Sequence, residues 1–401
     1  MDTNIVYWIW LQQVFGSGSS KPVQLWRKFS SVRSFYEEAP KLLSDSSVFS
    51  KAESRRASEI SLSQCRKIME KAQKLSMKLL TPESENFPTC LSQIDNPPAV
   101  LYYQGELPAV DDVPTVAIVG SRKACPNALT AARVLSEQLA RAGTIVVSGG
   151  AVGIDSSAHL GALDAGGKTI CLLAGSLDRP YPKTGEKMRR AIAENGAVVS
   201  EYPPETDVQR WHFGIRNRLI SGLSCGVLVA EASVKSGTMM TARHAVEQSR
   251  DVFTLLVDSW RENAEGVLQL LWDGAKPVSC AADILTEFKH RFPACQIPPR
   301  EPLSQICQDK PLEQSENVTV SSSHLSHASK AREAAEKEDI PKTLSSSAQK
   351  MYQALSREPI TAEELSMKTG MYIQDIFRAA TELELSGKIC SFSGRRYAKR
   401  S

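Results

Sequence analysis

The sequence predicts an α/β protein built on a parallel sheet, and three observations predict it. Short apolar runs at 115–119, 144–147, 168–174, 197–200, 227–230 and 252–257 have the near-continuous hydrophobicity of strands buried on both faces. Helical periodicity fills gaps between them, at 128–142, 154–165, 186–194 and 239–248. Several strands end in glycine- and hydroxyl-rich turns: Gly120-Ser121-Arg122, Ser148-Gly149-Gly150-Ala151-Val152-Gly153 and, later, Ser236-Gly237-Thr238. Strand–helix alternation of this kind makes crossovers that cover a sheet on both faces.

The flanks of this α/β region read differently. Residues 1–80 are read as a helical module, with Leu25, Phe29, Val32 and Tyr36 at helical spacing and Cys65, Ile68, Met69 and Ala72 likewise. The Gly16-Ser17-Gly18-Ser19 turn between apolar stretches suggests a helix-hairpin-helix-like or SAM-like unit, although a flexible linker has the same composition. Residues 81–291 form the sheet domain, opened by an extended segment at 97–103. Residues 292–344, rich in Ser, Glu, Lys, Pro and Gln, read as a disordered linker. In 345–401, helices at 346–355, 361–369 and 373–385 precede a hairpin around Ser393-Gly394. Three helices and a hairpin describe a winged helix, and Thr361-Ala362-Glu363-Glu364 supplies a capping-box start.

Composition narrows the class. Lys+Arg 48 against Asp+Glu 45 leaves +3, so any nucleic-acid-binding surface must be local. Nine scattered cysteines without a C-x-x-C pair fit free thiols in a reducing cytoplasm better than disulfides or zinc. The apolar stretch 5–11 is too short to span a bilayer and lacks signal-peptide flanks. The expectation is a cytoplasmic protein with no membrane, metal or cofactor.

The turns carry the functional signal. Small residues expose backbone N–H groups, which attract phosphate at helix N-termini, and strand ends sharing one sheet edge pool those donors. Ser121 and Arg122 add a hydroxyl and a bidentate cation, although a plain strand–loop junction looks the same. The loop through Gly149, Gly150 and Gly153 is neither a Walker loop nor G-x-G-x-x-G. Asp155 and His159, one helical turn apart, read as a structural capping pair. Arg216, Asn217 and Arg218 can pair with phosphates and a base edge, or simply begin a helix. Trp211, His212 and Phe213 offer stacking surfaces, or core packing. Lys235, Ser236, Gly237 and Thr238 repeat the anion logic, with Thr238 also the expected N-cap. Glu201 and Glu231 are the only carboxylates expected to face the crevice, and no nucleophile–base motif accompanies them.

Taken in order, Val116–Arg122, Ser148–Asp155 with Ala158-His159, Leu177-Asp178-Arg179-Pro180-Tyr181-Pro182, Ser200-Glu201-Tyr202-Pro203-Pro204, Arg216–Ser224 and Lys235–Arg243 resemble the DNA-processing protein DprA (Smf) family. So do Leu383–Ile389 and Gly394-Arg395-Arg396-Tyr397 in the tail. The resemblance implies an extended Rossmann-like domain that binds single-stranded DNA without catalysis. It also implies protection of incoming strands in natural transformation, RecA loading and a homodimer. Ser121, Arg122, Gly150, Arg216, Asn217, Lys235 and Gly237 then fall on or beside the DNA pocket.

Three stretches depart from the family pattern. Gly214-Ile215 stands where a proline and a further positive charge are usual, Gly185 replaces an asparagine, and Val257–Trp260 and Gly266-Val267 replace a glycine-rich segment. A competing resemblance, to nucleotide-hydrolysing enzymes of the lysine-decarboxylase-like family, requires a Pro-Gly-Gly-x-Gly-Thr turn. Here Lys235-Ser236-Gly237-Thr238 occupies the comparable place.

Overall fold

The computed structural model describes residues 4–29, 31–256, 262–301, 345–356, 360–386, 388–392 and 396–399. They fall into two compact units, 1–317 and 318–401.

The first unit opens with helices α1 (Ile5–Phe15), α2 (Lys21–Phe29), α3 (Val32–Leu42), α4 (Lys51–Glu59) and α5 (Leu62–Lys74). The four apolar positions from Leu25 to Tyr36 lie on two helices rather than one. Ser31 is extended and caps α3, its hydroxyl accepting from the Ser34 N–H at 3.0 Å. A local capping bond of this kind competes with helix continuation, which the spacing alone does not reveal. Helix α1 is buried around Trp8, Ile9, Trp10 and Leu11 and shares its core with Cys171, Leu173, Ile192 and Val198 of the sheet domain. Among the described residues, no helix is long and apolar enough to cross a membrane.

The end of the stretch read as helical is instead strand β1 (Lys78–Leu80), antiparallel to β2 (Leu101–Gly105). Three residues are too few to show a period, and their conformation is set by the partner strand. After the short helix α6 (Thr89–Ser92) come β3 (Thr115–Val119), α7 (Pro126–Arg141), β4 (Ile145–Ser148), α8 (Ile154–Asp164), β5 (Thr169–Leu173), α9 (Glu186–Asn195) and β6 (Gly196–Ser200). Then follow α10 (His212–Gly222), β7 (Gly226–Val229), α11 (Gly237–Glu247), β8 (Asp251–Leu255), α12 (Glu265–Trp272), β9 (Lys276–Val278) and α13 (Ala281–Phe288).

The sheet order is β1-β2-β6-β5-β4-β3-β7-β8-β9. All pairings from β6 to β9 are parallel, and β2 joins β6 antiparallel. Every residue of β3 to β7 is buried, as continuous apolar runs require. From β3 the chain winds one way to β6, then crosses back to β7. The order therefore reverses beside β3, and the carboxyl ends of these strands form the crevice where doubly wound sheets hold ligands.

The closing helix α13 shows how the edge is fixed. Asp283 accepts from the Ser279 N–H at 2.8 Å, the Ser279 hydroxyl at 2.9 Å and the Cys280 N–H at 3.2 Å, and pairs with Arg300. Burial works against ionisation, but the Ser279 bonds and Arg300 outweigh it and hold the carboxyl at about 2. A lowered carboxylate stabilises above its unfolded value and loses that contribution as pH falls toward 2. Asp283→Asn should therefore cost about 1 kcal/mol at neutral pH. Urea unfolding at stepped pH should show the deficit closing below about pH 4. Beyond α13, Phe292 and Cys295 are buried against the core, so the first residues of the expected linker are packed. Residues 302–344 lie outside the described residues.

The second unit holds α14 (Ser346–Ala354), β10 (Ile360–Thr361), α15 (Ala362–Thr369), α16 (Ile373–Leu385), β11 (Ile389–Phe392) and β12 (Arg396–Lys399). Its sheet order is β10-β12-β11, antiparallel throughout. The Thr361 hydroxyl accepts from the Glu364 N–H at 3.2 Å, and Glu364 accepts from the Thr361 N–H at 3.0 Å. This is the expected capping box. Gly370 ends α15 in the left-handed conformation, φ +68°. The Ser393-Gly394 turn of the hairpin lies outside the described residues.

Candidate nucleic-acid interface

The crevice is built at the carboxyl ends of β3, β4, β5 and β7. After β3, the Ser121 N–H donates to the Glu231 carbonyl at 2.8 Å, and the Ile154 N–H donates to the Ser121 carbonyl at 3.3 Å. The Ser121 hydroxyl accepts from the Lys123 N–H at 3.1 Å, so it braces its own turn. Arg122 is exposed, with its guanidinium 4.9 Å from the Phe213 ring centre.

After β4, the Ser148 hydroxyl donates to the Ile118 carbonyl at 2.7 Å and ties the two strands together. Gly153 takes φ +94°, and a Cβ there would lie 2.4 Å from the Ser121 carbonyl oxygen. Only glycine lets the two loops approach this closely.

The expected Asp155–His159 capping pair does not form. Gly153 occupies the N-cap of α8, and Asp155 turns back to accept from the Ala151 N–H at 3.3 Å. Burial raises its carboxyl, and Arg216 pulls it partly back. His159 Nδ1 bonds the Thr169 hydroxyl at 2.8 Å, and burial lowers the imidazole to about 3, which keeps it neutral. Loop bracing uses the carboxylate that helix capping would have used.

Helix α10 divides its residues between mouth and wall. Phe213 is half-buried at the mouth, edge-on to Tyr181 with centres 6.0 Å apart. Trp211 is 61% exposed, while His212 is buried and stacked on Tyr202 at 4.1 Å. Arg216 is buried and donates from Nη1 to the Gly149 carbonyl at 2.7 Å and to the Leu172 carbonyl. Asn217 donates to the Gly237 carbonyl at 3.1 Å and so ties α10 to α11. Arg218 is buried against Glu201 at 2.6 Å. The three residues therefore hold the crevice wall in place.

At the start of α11, Lys235 and Gly237 are exposed. Ser236 takes the N-cap position, where Thr238 was expected, and its hydroxyl makes no capping bond. Thr238 sits inside the first turn. The Met239 N–H donates to the Ser236 carbonyl at 3.2 Å, which leaves the Gly237 and Thr238 N–H groups available to an anion.

Of the two expected carboxylates, Glu201 is fully engaged, whereas Glu231 is engaged through one oxygen, its buried Oε1 having no hydrogen-bond partner among the described residues. Glu201 pairs with Arg218 and accepts from the Gly18 N–H at 3.0 Å, and Glu231 accepts from the Cys125 N–H at 3.1 Å. Among the described residues no three of His, Cys, Asp and Glu are grouped to hold a metal.

A cavity of about 50 Å³ at the mouth is lined by Arg122, Gly149, Val152, Ala174, Tyr181 and Phe213, among others. Tyr181, 50% exposed, is the residue that sequence reasoning missed as a site residue. Its signal was an aromatic ring held between two prolines, Pro180 and Pro182.

A family model described as DNA recombination-mediator protein A matches residues 78–289, and one described as DprA winged helix domain matches residues 335–395. The chain belongs to the DNA recombination-mediator protein A family. Protein Smf of Synechocystis sp. is 32% identical over 335 residues, spanning 83% of this chain and 82% of the relative. DNA processing protein DprA of Bacillus subtilis is 37% identical over 208 residues, 52% of this chain and 70% of the relative. The X-ray structure of DNA processing protein A from Streptococcus pneumoniae superposes with a TM-score of 0.61 at 29% identity. It covers 69% of this chain and 95% of that one.

Within this family frame the departure at Ile215 has a structural counterpart. A Cβ on Gly18 would lie 2.8 Å from Ile215 Cγ2, so the isoleucine packs against the turn between α1 and α2. An apolar contact with the N-terminal helices stands where the resemblance calls for a positive charge. The altered segment 257–260 lies outside the described residues.

Proposed function

We propose that this chain is a non-enzymatic, cytoplasmic single-stranded DNA-binding protein of the DNA-processing kind. It holds the strand along the crevice at the carboxyl ends of β3, β4, β5 and β7. The observation that carries the reading is the exposed Arg122 guanidinium over Phe213, beside Tyr181 and at the mouth of the glycine loop. A cation set among aromatic faces suits a single strand, whose bases stack without regard to sequence while phosphates take the charge. Lys235 and the open start of α11 extend the cationic lining. The commitment of Glu201 to the Arg218 pair and the Gly18 N–H supports binding over turnover. The relatives' names, DNA processing protein and recombination mediator, fit a role in transformation and recombination. The same reading includes a homodimer and hand-over of the bound strand to RecA.

The test is Arg122→Ala. Among the described residues its side chain makes no hydrogen bond or ion pair, only the ring contact with Phe213, so thermal stability should stay level. Oligo-dT affinity should fall about tenfold or more, the cost of a charge-assisted phosphate bond. The dependence of log K on log salt should flatten by about 0.7. A variant that binds oligo-dT like the parent at moderate salt would sink the assignment.

A further inference from the structure

A second cavity, of about 1,020 Å³, lies on the far side of the Pro180–Pro182 loop and shares Tyr181 with the mouth of the crevice. Its volume suits a nucleotide-sized ligand. Among the described residues its wall carries Arg179, Lys183, Arg189 and Arg190, and two of these four are matched. Arg179 pairs with Asp207 at 3.0 Å and Arg190 with Glu186 at 3.5 Å.

Arg189 is different. It lines the cavity and is only 8% exposed, yet among the described residues no carboxylate lies within ion-pair distance. Among the described residues, its side chain donates only from Nη1 to the neutral Pro182 carbonyl, at 2.8 Å. Burial lowers its pKa, with Cys171 and Glu186 offsetting this only in part. A guanidinium withdrawn from water and left unneutralised is costly unless an anion completes it. With Nη1 taken by Pro182, Nε and Nη2 remain as the paired donors by which a guanidinium binds phosphate. Nothing in the proposed crevice uses this residue.

We propose that Arg189 receives a phosphodiester of the strand after it leaves the crevice past Tyr181, so that the binding track runs through both cavities. This rests on the single-strand reading above. Arg122 serves the first stretch of the strand and Arg189 a later one, so the two make different predictions about oligonucleotide length.

The experiment measures the affinity of the full chain for oligo-dT of about 6 and about 16 nucleotides, the span of usual single-strand site sizes. Salt is varied between roughly 50 and 200 mM. Arg189→Gln should bind the short oligonucleotide like the parent and the long one about tenfold more weakly, with its salt slope reduced by about 0.7. Arg189→Lys should keep the parent's slope. Arg122→Ala should weaken both lengths.

Since Arg189 also holds the 180–182 loop, Ser76→Asp provides an independent variant. It sets a carboxylate on an exposed residue at the cavity rim, at φ +55°, a conformation aspartate tolerates. It should weaken only the long oligonucleotide. Parental binding of the long oligonucleotide by both variants overturns the proposal. Equal weakening of both lengths by Arg189→Gln overturns it too, because the residue would then act only through the loop. Competition by thymidine monophosphate at the oligonucleotide's own concentration would reassign the cavity to mononucleotides. If the parent binds neither length, the single-strand reading itself fails, and this proposal with it.

Discussion

Arg216→Ala should destabilise the first unit by about 3–5 kcal/mol, the range for breaking a buried charged network. The guanidinium fills the space between the loop after β4 and the end of β5 and satisfies the Gly149 and Leu172 carbonyls. It also sits close enough to Asp155 for each to shift the other's ionisation. Alanine leaves two buried carbonyls without a donor, a hole, and an uncompensated carboxylate. Lysine does not fully restore the site, because Arg216 also donates from Nε to Asn217 Oδ1 at 3.2 Å, and one ammonium cannot serve both ends of the guanidinium. Urea unfolding followed by tryptophan fluorescence measures the loss. DNA binding should fall only as the folded fraction falls, in contrast with Arg122→Ala. An Arg216→Ala protein with the parental midpoint and a large drop in affinity would show that the residue contacts DNA directly.

The second large effect concerns Arg218 and Glu201. Their side chains are 6% and 3% exposed and 2.6 Å apart. Glu201→Gln leaves a buried guanidinium unpaired and should cost about 3–5 kcal/mol. Arg218→Met leaves a buried carboxyl that must take up a proton to stay inside. Adding Arg218→Met to Glu201→Gln removes both charges and keeps an oxygen for the Gly18 N–H. The double variant should regain at least about 2 kcal/mol over Glu201→Gln alone, since a buried pair replaced by packed neutral groups is often near neutral. It should also keep its affinity for oligo-dT. Loss of that affinity in a stable double variant would make Arg218 part of the DNA surface after all.

These two arginines mark the boundary of what the sequence makes legible. The strands from β3 to β8 and the glycine loops are local: apolar runs, turn residues and helix starts lie side by side in the chain. The crevice could be placed for that reason. The roles of Arg216 and Arg218 are not local. Their partners at Gly149, Leu172 and Glu201 lie 67, 44 and 17 residues away, and two are backbone carbonyls that every residue possesses. A charged Arg-Asn-Arg run ahead of Leu219-Ile220 looks like a solvated helix start until its surroundings are known. Asp155 and His159 mislead similarly, since their spacing fits capping while their partners are a loop N–H and a threonine on the next strand. Tyr181 escaped because an exposed ring in a proline-flanked loop has no periodicity to announce it.

The docking of α1 onto the sheet domain also sets an order of events during synthesis. Gln12 donates to the Glu201 carbonyl, 189 residues further along, and to the Val100 carbonyl. A ribosome finishes the N-terminal helices long before it makes β6, so for that interval they have no sheet to rest on. Their own aromatic set supplies an interim partner: Phe15 and Phe35 each stack on Phe49, and Trp10 packs against Phe35 and Tyr36. The nascent helices can therefore hide much of their apolar surface and wait. The strand that completes them also brings Glu201, whose carboxylate locks the Gly16–Ser19 turn and Arg218 at once.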